Sequence, residues 1–214
     1  EFTGTAFTTF NVPKAITTGV EVETSIRPDD NLTINGGLTV LDARYPGDCA
    51  GDSTFATVVA LCGNDLTNAP NIVALLGATY ENELTDNLDF FIAGQLRLES
   101  DQRTSTARRV TSDDGGPEDV AAAGGTQAEI RAAVDAAPLI VADIQDGGIF
   151  ANARAGVGTT DDKFQVEFYV NNLTNRVTRG VTFNTTLRGT GSNNSRSAFS
   201  LQPRTYGVTV RTRF

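Results

Sequence analysis

Apolar and polar residues alternate with a period of two along seven separate segments of the chain. In residues 164–171, for example, Phe164, Val166 and Phe168 are separated by polar or charged side chains. Such alternation is typical of β-strands with one apolar and one polar face. The pattern therefore predicts an all-β protein with seven two-faced antiparallel strands. The seven segments cover residues 18–24, 32–40, 72–80, 88–99, 149–157, 164–171 and 205–214.

The connections between these segments are alternately short and long. Short turns are predicted at residues 27–31, 82–87 and 158–163, and long polar loops at about 45–70, 101–148 and 172–202. A soluble β-sandwich rarely has three such loops, whereas a transmembrane β-barrel has short turns on one side and long loops on the other. The order favours a segment of a transmembrane barrel. A secreted or surface β-sandwich that binds sugar or protein stays open as the alternative.

Seven strands would leave two open edges, which lipid does not tolerate. The segment around residues 5–10 is rich in threonine, and we expect it to be the end of an outer loop. The chain would then begin outside the membrane and end on the periplasmic side. Further strands would come from an N-terminal portion or from other chains. If residues 5–10 span instead, a small eight-stranded structural barrel is the second alternative.

Composition narrows the functional classes. The 214 residues include no histidine, and the net charge is −9 at pH 7. The first fact removes histidine-dependent catalytic triads and histidine metal sites, and the second argues against nucleic acid as a partner. Neither a Gly-x-Ser-x-Gly elbow nor a P-loop is present. We expect no enzyme activity, no catalytic residue, no cofactor and no metal site.

The two cysteines, Cys49 and Cys62, lie in a polar stretch of the first long loop. Two cysteines without histidine make a poor zinc site. A local disulfide is the better interpretation, and it implies an oxidising compartment.

The second and third long loops carry cationic side chains that could contact an anionic ligand or the phosphates of lipopolysaccharide. Neutralisation of nearby acidic residues is the simpler alternative. These candidates are Arg103, Arg108, Arg109, Arg179 and Arg188.

Residues 126–136 have helical composition, with Thr126 as N-cap and Glu129 at the spacing of a capping box. Acidic clusters in the same loop lack calcium-loop spacing, which favours a solvated loop. Four aromatic residues are candidates for an interfacial girdle: Tyr45, Phe90, Phe164 and Tyr206.

Several motifs appear in a fixed order along the chain. They are NVPKA at 11–15 followed by TGVEVE at 18–23, LDARY at 41–45, LTNAP at 66–70, VEFYVNNLTN at 166–175 and PRTYGVTVRTRF at 203–214. Together they resemble the C-terminal barrel portion of TonB-dependent outer-membrane receptors. The resemblance implies that residues 1–214 supply seven or eight strands of a barrel of about 22 strands.

The resemblance also implies a function, a location and partners. The function would be energised uptake of a scarce siderophore, cobalamin or oligosaccharide across the Gram-negative outer membrane. This segment would form barrel wall and gate loops. Its partners would be outer-membrane lipid and lipopolysaccharide, the rest of the barrel, and TonB through an N-terminal region with a plug domain. An aromatic C-terminal assembly signal would comprise Tyr206, Val208, Val210 and Phe214.

Overall fold

The computed structural model describes residues 9–106, 109, 115–185 and 195–214. The strands are β1 (Ile16–Ile26), β2 (Leu32–Arg44), β3 (Ile72–Thr85), β4 (Leu88–Glu99), β5 (Gln102–Arg103), β6 (Ile144–Gln145), β7 (Gly148–Thr159), β8 (Phe164–Asn171), β9 (Arg179–Asn184), β10 (Arg196–Ser200) and β11 (Thr205–Thr212). The helices are α1 (Ala56–Leu61), α2 (Pro117–Ala122) and α3 (Gln127–Ala136). Among these described residues, no helix is long and apolar enough to span a membrane.

The seven long strands form one antiparallel sheet in the order β1-β2-β3-β4-β7-β8-β11. All seven predicted strands are confirmed, and each pairs with the next long strand along the chain. The sheet is therefore a meander. The four shorter strands form two separate two-stranded sheets, β5 with β6 and β9 with β10.

The register of the sheet gathers apolar side chains on one side, which we call the apolar face. Val20 lies opposite Val40, and Leu76 lies opposite Leu96. Phe168 in β8 and Val208 in β11 form a further pair and are 61% and 57% exposed. Among the described residues, then, no second sheet covers these side chains. A sandwich would bury such a face, so the structure argues against that alternative.

The two ends of the sheet differ. Turns at residues 27–31, 86–87 and 160–163 lie at one end. The described segments 45–71, 100–106, 115–147, 172–185 and 195–204 lie at the other. The prediction of a turn over 82–87 was too long, because β3 continues to Thr85 and Glu83 still pairs with Asp89. The turn-end residues of β3 are mostly polar, so the apolar pattern fades before the strand ends.

β1 starts at the loop end, and β11 finishes at the turn end. Ile16 pairs with Arg44 beside the first loop, and the amide of Arg213 donates to Lys163 O in the last turn. The strand direction relative to the loops and turns is as expected, while the side of the membrane that each end faces stays a prediction. Most of the segment 5–10 lies outside the described residues. Phe10, at its end, packs against loop residues and is not in a strand.

Candidate functional site

The first two long loops share a small hydrophobic core above the sheet, which we call the loop core. Val58 and Val59 of α1 and Ile130 of α3 are almost completely buried in it. Within the predicted long loops, the sequence indicated the helix at 126–136 but neither α1 nor α2. The sequence of α1 is a short apolar run, and periodicity alone cannot decide whether such a run forms a helix or a strand. The loop core consists of Cys49, Ala50, Ala56, Val58, Val59, Leu61, Cys62, Ile130 and Val134.

The predicted disulfide between Cys49 and Cys62 is present, with sulfur atoms 2.08 Å apart. It lies inside the loop core and closes a loop with a sequence separation of 13. Tyr45 packs against the same core. This packing was not predicted, and the position of Tyr45 in an interfacial girdle stays a prediction.

Helix α3 begins as predicted. The amide of Thr126 donates to Glu129 Oε2 at 2.8 Å, and the amide of Glu129 donates back to Thr126 Oγ1 at 3.4 Å. The hydrogen bonds from the amide and the hydroxyl of Thr126 lower the pKa of Glu129 below its ordinary value. A capping box therefore fixes the start of the helix that completes the loop core.

Side chains of α3 fasten the second loop to the first. Gln127 Nε2 donates to the carbonyl oxygens of Gly51 and Ser53 at 2.6 and 3.1 Å. Arg131 Nη1 donates to Cys62 O at 3.2 Å. These bonds satisfy carbonyl groups around the disulfide, so the two loops form one packed body.

A buried ion pair fastens the second loop to the third. Arg196 of β10 donates through Nε to Asp143 Oδ1 at 3.0 Å and through Nη2 to Asp143 Oδ2. The two side chains are 7% and 0% exposed. Arg196 also donates to Asn184 Oδ1 and, at 3.0 Å, to Ser105 Oγ. All three nitrogens of the guanidinium donate hydrogen bonds, which compensates for the burial of its charge.

Hydroxyl groups extend this network. Thr104 Oγ1 lies 2.8 Å from Thr182 Oγ1 and donates to Asp143 O at 3.0 Å. The amide of Thr182 donates to Thr104 O at 2.9 Å. The three long loops are thus connected in series. We call the connected segments 45–71, 100–106, 115–147, 172–185 and 195–204 the outer rim.

The arginines predicted as ligand contacts have structural partners in the outer rim where the structure describes them. Arg179 donates to Ala142 O at 2.7 Å and to Ile144 O at 2.6 Å, and Arg109 donates to Ala137 O. Arg103 is half-buried in β5 opposite Ile144.

Arg108 and Arg188 lie outside the described residues. Contact between these five arginines and a ligand or lipopolysaccharide stays a prediction. Sequence reasoning did not identify Asp143 and Arg196 as a pair, because they are 53 residues apart.

The other side of the large sheet, which we call the polar face, is concave. A hollow of about 920 Å³ lies on it and is lined by residues from all seven strands. Its lining includes Glu23, Gln95, Arg154 and Glu167. The predicted separation of polar and apolar faces is therefore confirmed, with the polar side chains on the inner curve.

Two of the arginines on the polar face have carboxylate partners. Arg97 Nη2 lies 2.9 Å from Glu99 Oε2. Arg211 Nη1 lies 3.4 Å from Glu167 Oε2 and donates to Gln165 Oε1 at 2.9 Å. Both glutamates are largely buried, which explains why each needs a cation beside it.

Arg154 stands apart from these pairs. Its guanidinium carbon lies 5.8 Å from the centre of the Phe91 ring, within the range of a cation–π interaction. The Phe91 ring in turn lies over Gly156, because a Cβ atom there would be 2.5 Å from Phe91 Cε1. Phe91 and Gly156 are direct partners on β4 and β7.

Aromatic residues lie near both ends of the apolar face. Tyr80 and Phe90 are in contact at the turn end, with ring centres 6.0 Å apart, and Phe164 starts β8 at the same end. Tyr206 lies near the loop end of β11 and is 82% exposed. Their membership of an interfacial girdle stays a prediction.

Tyr206, Val208 and Val210 share the apolar face of β11, and Phe214 follows that strand. Their role as an assembly signal stays a prediction. In the described part of the chain, no group of three or more aspartates, glutamates or cysteines is arranged to hold a metal ion.

Comparison with known proteins gives the fold an independent reference. No family model matches the chain, and no curated protein matches it by sequence. Among solved structures, the ferric yersiniabactin uptake receptor FyuA from Yersinia pestis is similar over 95% of this chain, with a TM-score of 0.64 and 18% identity. The chain has the fold of part of a receptor barrel.

Two further structures support this assignment of the fold. The ferric preacinetobactin receptor BauA and the siderophore receptor PiuA, both from Acinetobacter baumannii, each match 92% of this chain with a TM-score of 0.53. Their identities to it are 17% and 15%. The chain spans only 21–24% of the length of these three receptors. The predicted resemblance to a portion of such a barrel is confirmed at the level of the fold.

Proposed function

We propose that this chain forms part of the barrel wall and the outer rim of a TonB-dependent receptor in a Gram-negative outer membrane. The observation that carries the proposal is the exposed apolar face opposite a concave polar face, in a meander with the fold of receptor barrels. Lipid would contact the apolar face, and water and solute would contact the polar face.

Uptake of a ferric siderophore is the activity that the similar structures favour over cobalamin or oligosaccharide uptake. They are named as a ferric yersiniabactin uptake receptor, a ferric preacinetobactin receptor and a siderophore receptor. The outer rim would meet the ligand first. Because its loops are joined by the disulfide core and the Asp143–Arg196 pair, it would present a preformed surface. TonB and a plug domain would supply the energy from outside these residues, and we expect no catalytic role for this segment.

Uptake in the bacterium that carries the chain tests the proposal. Deletion of the gene should abolish growth on at least one ferric siderophore under iron limitation, and should abolish uptake of the same chelate labelled with radioactive iron. Deletion of tonB should have the same effect, and the intact gene on a plasmid should restore uptake only when TonB is present. The chain should be found in the outer-membrane fraction.

Unchanged uptake of every chelate in the deletion strain would contradict the transport proposal. Recovery of the folded chain from the soluble periplasm without detergent would contradict the barrel as well.

A further inference from the structure

The hairpin of β9 and β10 rests on the second long loop with its polar side. Thr182, Asn184 and Arg196 share this side, since Arg196 pairs with Asn184, two residues from Thr182. Thr182 and the side chain of Arg196 are almost completely buried, whereas Val181 and Phe199, which pair on the opposite side, are exposed. This is the reverse of the usual burial of an apolar face. The contact between the second and third loops is therefore polar.

Hydrogen bonds hold both strands of the hairpin on the second loop. At the start of β9, the amide of Arg179 donates to Gln145 Oε1 at 2.9 Å, and its guanidinium donates to Ile144 O at 2.6 Å. Further along β9, the amide of Thr182 donates to Thr104 O at 2.9 Å. The buried ion pair holds β10 in the same way. The hairpin thus has partners on the second loop along β9 and in β10.

Such a contact does not open or slide at low cost. Separation of the loops would break the bonds of Asp143 and Thr104, and neither of these residues is exposed. A buried charge that loses its counter-ion is strongly destabilised. Packed apolar elements can slide past one another in small steps, but hydrogen bonds require defined distances and angles. The second and third loops should therefore stay together.

The first loop belongs to the same body. Its disulfide lies in the loop core that it shares with α3, and Arg131 of α3 donates to one of its carbonyl groups. The first and third loops are also bonded to strands of the large sheet. The amide of Leu66 donates to Ala43 O at 2.9 Å, and the amide of Leu173 donates to Ala151 O at 2.7 Å. The outer rim is therefore one body attached to the barrel wall.

We propose that the outer rim is a fixed wall and does not act as a gate, because its loops stay joined to one another throughout uptake. Opening and closing of the entrance would then fall to parts of the receptor outside the outer rim. This inference rests on the proposed function, since it concerns the rim while a ligand is taken up. It also changes the role that the family resemblance implies for these loops, which is that of gate loops.

The reactivity of a buried thiol in intact cells tests whether the loops separate. Cells would carry the full protein with Thr182→Cys, or with Ser200→Cys as the control, and would be treated with a membrane-impermeant maleimide. Ser200 is exposed on β10, so a thiol there should react freely. A thiol at position 182 should react at least roughly tenfold more slowly, as expected for a position inside a stable contact. Its rate should not change when TonB is deleted or when the ferric siderophore identified by the gene deletion is added.

A cross-link between the loops provides the second test. The hydroxyl oxygens of Thr104 and Thr182 are 2.8 Å apart, so cysteines at both positions should form a disulfide on oxidation. Mass spectrometry would measure the cross-linked fraction. Cells with the cross-linked double variant, Thr104→Cys with Thr182→Cys, should import the radioactive chelate as fast as cells with either single variant.

Three results would overturn the inference. Faster labelling at position 182 when the chelate and TonB are both present would show that the loops separate during uptake. Loss of uptake on cross-linking, with both single variants active, would show that uptake requires this separation. Failure of the two cysteines to cross-link in the folded protein would show that the loops are not joined.

Failure of the transport proposal can be told apart from failure of this inference. If the wild-type protein imports no chelate, the transport proposal fails, and labelling without any chelate still decides whether the loops are joined. A rate at position 182 equal to that of Ser200→Cys would then overturn the joined rim, and a slow rate would support it.

Discussion

The ring of Phe91 covers Gly156, the residue directly opposite it on the neighbouring strand. A Cβ atom at position 156 would lie 2.5 Å from Phe91 Cε1 and 2.8 Å from the backbone oxygen of Val166. The backbone oxygen cannot move away as a flexible side chain can. Gly156 is thus required by the close approach of an aromatic ring and a neighbouring strand.

Gly156→Ala should therefore destabilise the sheet by about 1–3 kcal/mol through overpacking. The matched control is Gly77→Ala on the same polar face, where the nearest atoms to a new Cβ are two backbone oxygens at 3.9 and 4.0 Å. That variant should stay within about 0.5 kcal/mol of wild type. The measurement is the unfolding free energy in urea, from intrinsic fluorescence in detergent. Equal stability of the two variants would contradict the contact.

A new charge on β4 should leave the fold stable on the polar face and destabilise it on the apolar face. Leu96 belongs to the apolar face and Gln95 to the polar face, one residue away. Leu96→Arg should cost up to about 4 kcal/mol, because a lipid-facing arginine is poorly solvated and the cost rises toward the bilayer centre. Gln95→Arg should fold normally.

The readout is the amount of heat-modifiable, folded protein in the outer-membrane fraction. A soluble protein with two wet faces would tolerate both substitutions, and that result would remove the support for the barrel wall.

Removal of one charge from the buried Asp143–Arg196 pair should open the outer rim. Asp143→Asn leaves Arg196 buried without its counter-ion, which should cost about 3–5 kcal/mol. The double variant Asp143→Leu with Arg196→Met removes both charges and should recover most of that loss. Hydrogen exchange at β9 and β10 would measure the opening free energy.

The exposed pair of Lys14 and Asp48, 2.8 Å apart, provides the control. Asp48→Asn should cause no measurable change, since solvent screens exposed pairs. A double variant as unstable as Asp143→Asn would show that packing, and not the unpaired charge, determines the cost.

The sheet could be predicted from the sequence because each strand carries its own information. Alternation within residues 164–171 or 205–214 needs no distant partner to be recognised. The capping box of Thr126 and Glu129 is equally local, and so is the pairing of Cys49 with Cys62. The strand ends were predicted less accurately where polar residues continue the strand pairing, as in β3.

The outer rim could not be predicted in the same way, because its contacts join residues far apart in the chain. Nothing in the sequence indicates that Asp143 pairs with Arg196, or that Tyr45 packs on the loop core. On the polar face, Arg154 could be recognised as a charge in a strand, but its approach to the Phe91 ring depends on the register of β4 and β7.

Loss of the disulfide should loosen the loop core without unfolding the sheet. The variant with both Cys49→Ser and Cys62→Ser should lose roughly 3 kcal/mol of local stability, as the chain-entropy model gives for a loop of this size. Limited proteolysis should then cleave between residues 45 and 71, while the membrane-embedded strands stay protected. Alkylation of both cysteines in the unreduced wild-type protein would show that the bond does not form.

The turn between β7 and β8 should respond to acid through Asp161. Hydrogen bonds from the Lys163 ammonium, the Thr159 hydroxyl and the Lys163 amide lower the pKa of Asp161 to about 2 from its ordinary value of 3.8. A lowered pKa in the folded state stabilises it at pH values above 3.8, and this contribution is lost as the pH falls toward 2. The contribution of Asp161 to the stability of the turn should therefore be largely present at pH 4 and be lost between pH 4 and pH 2.

Carbon-13 NMR of the carboxyl groups in detergent micelles would follow this titration. Lys163→Gln should raise the pKa of Asp161 most, because the lysine side chain is the largest cause of the shift. Thr159→Val should raise it less, since the hydroxyl is the second cause. Lys14→Gln is the control, because Lys14 lowers the pKa of Asp48 in a different loop and should leave Asp161 unchanged. An Asp161 midpoint that does not move in Lys163→Gln would mean that the ammonium does not reach the carboxylate in solution.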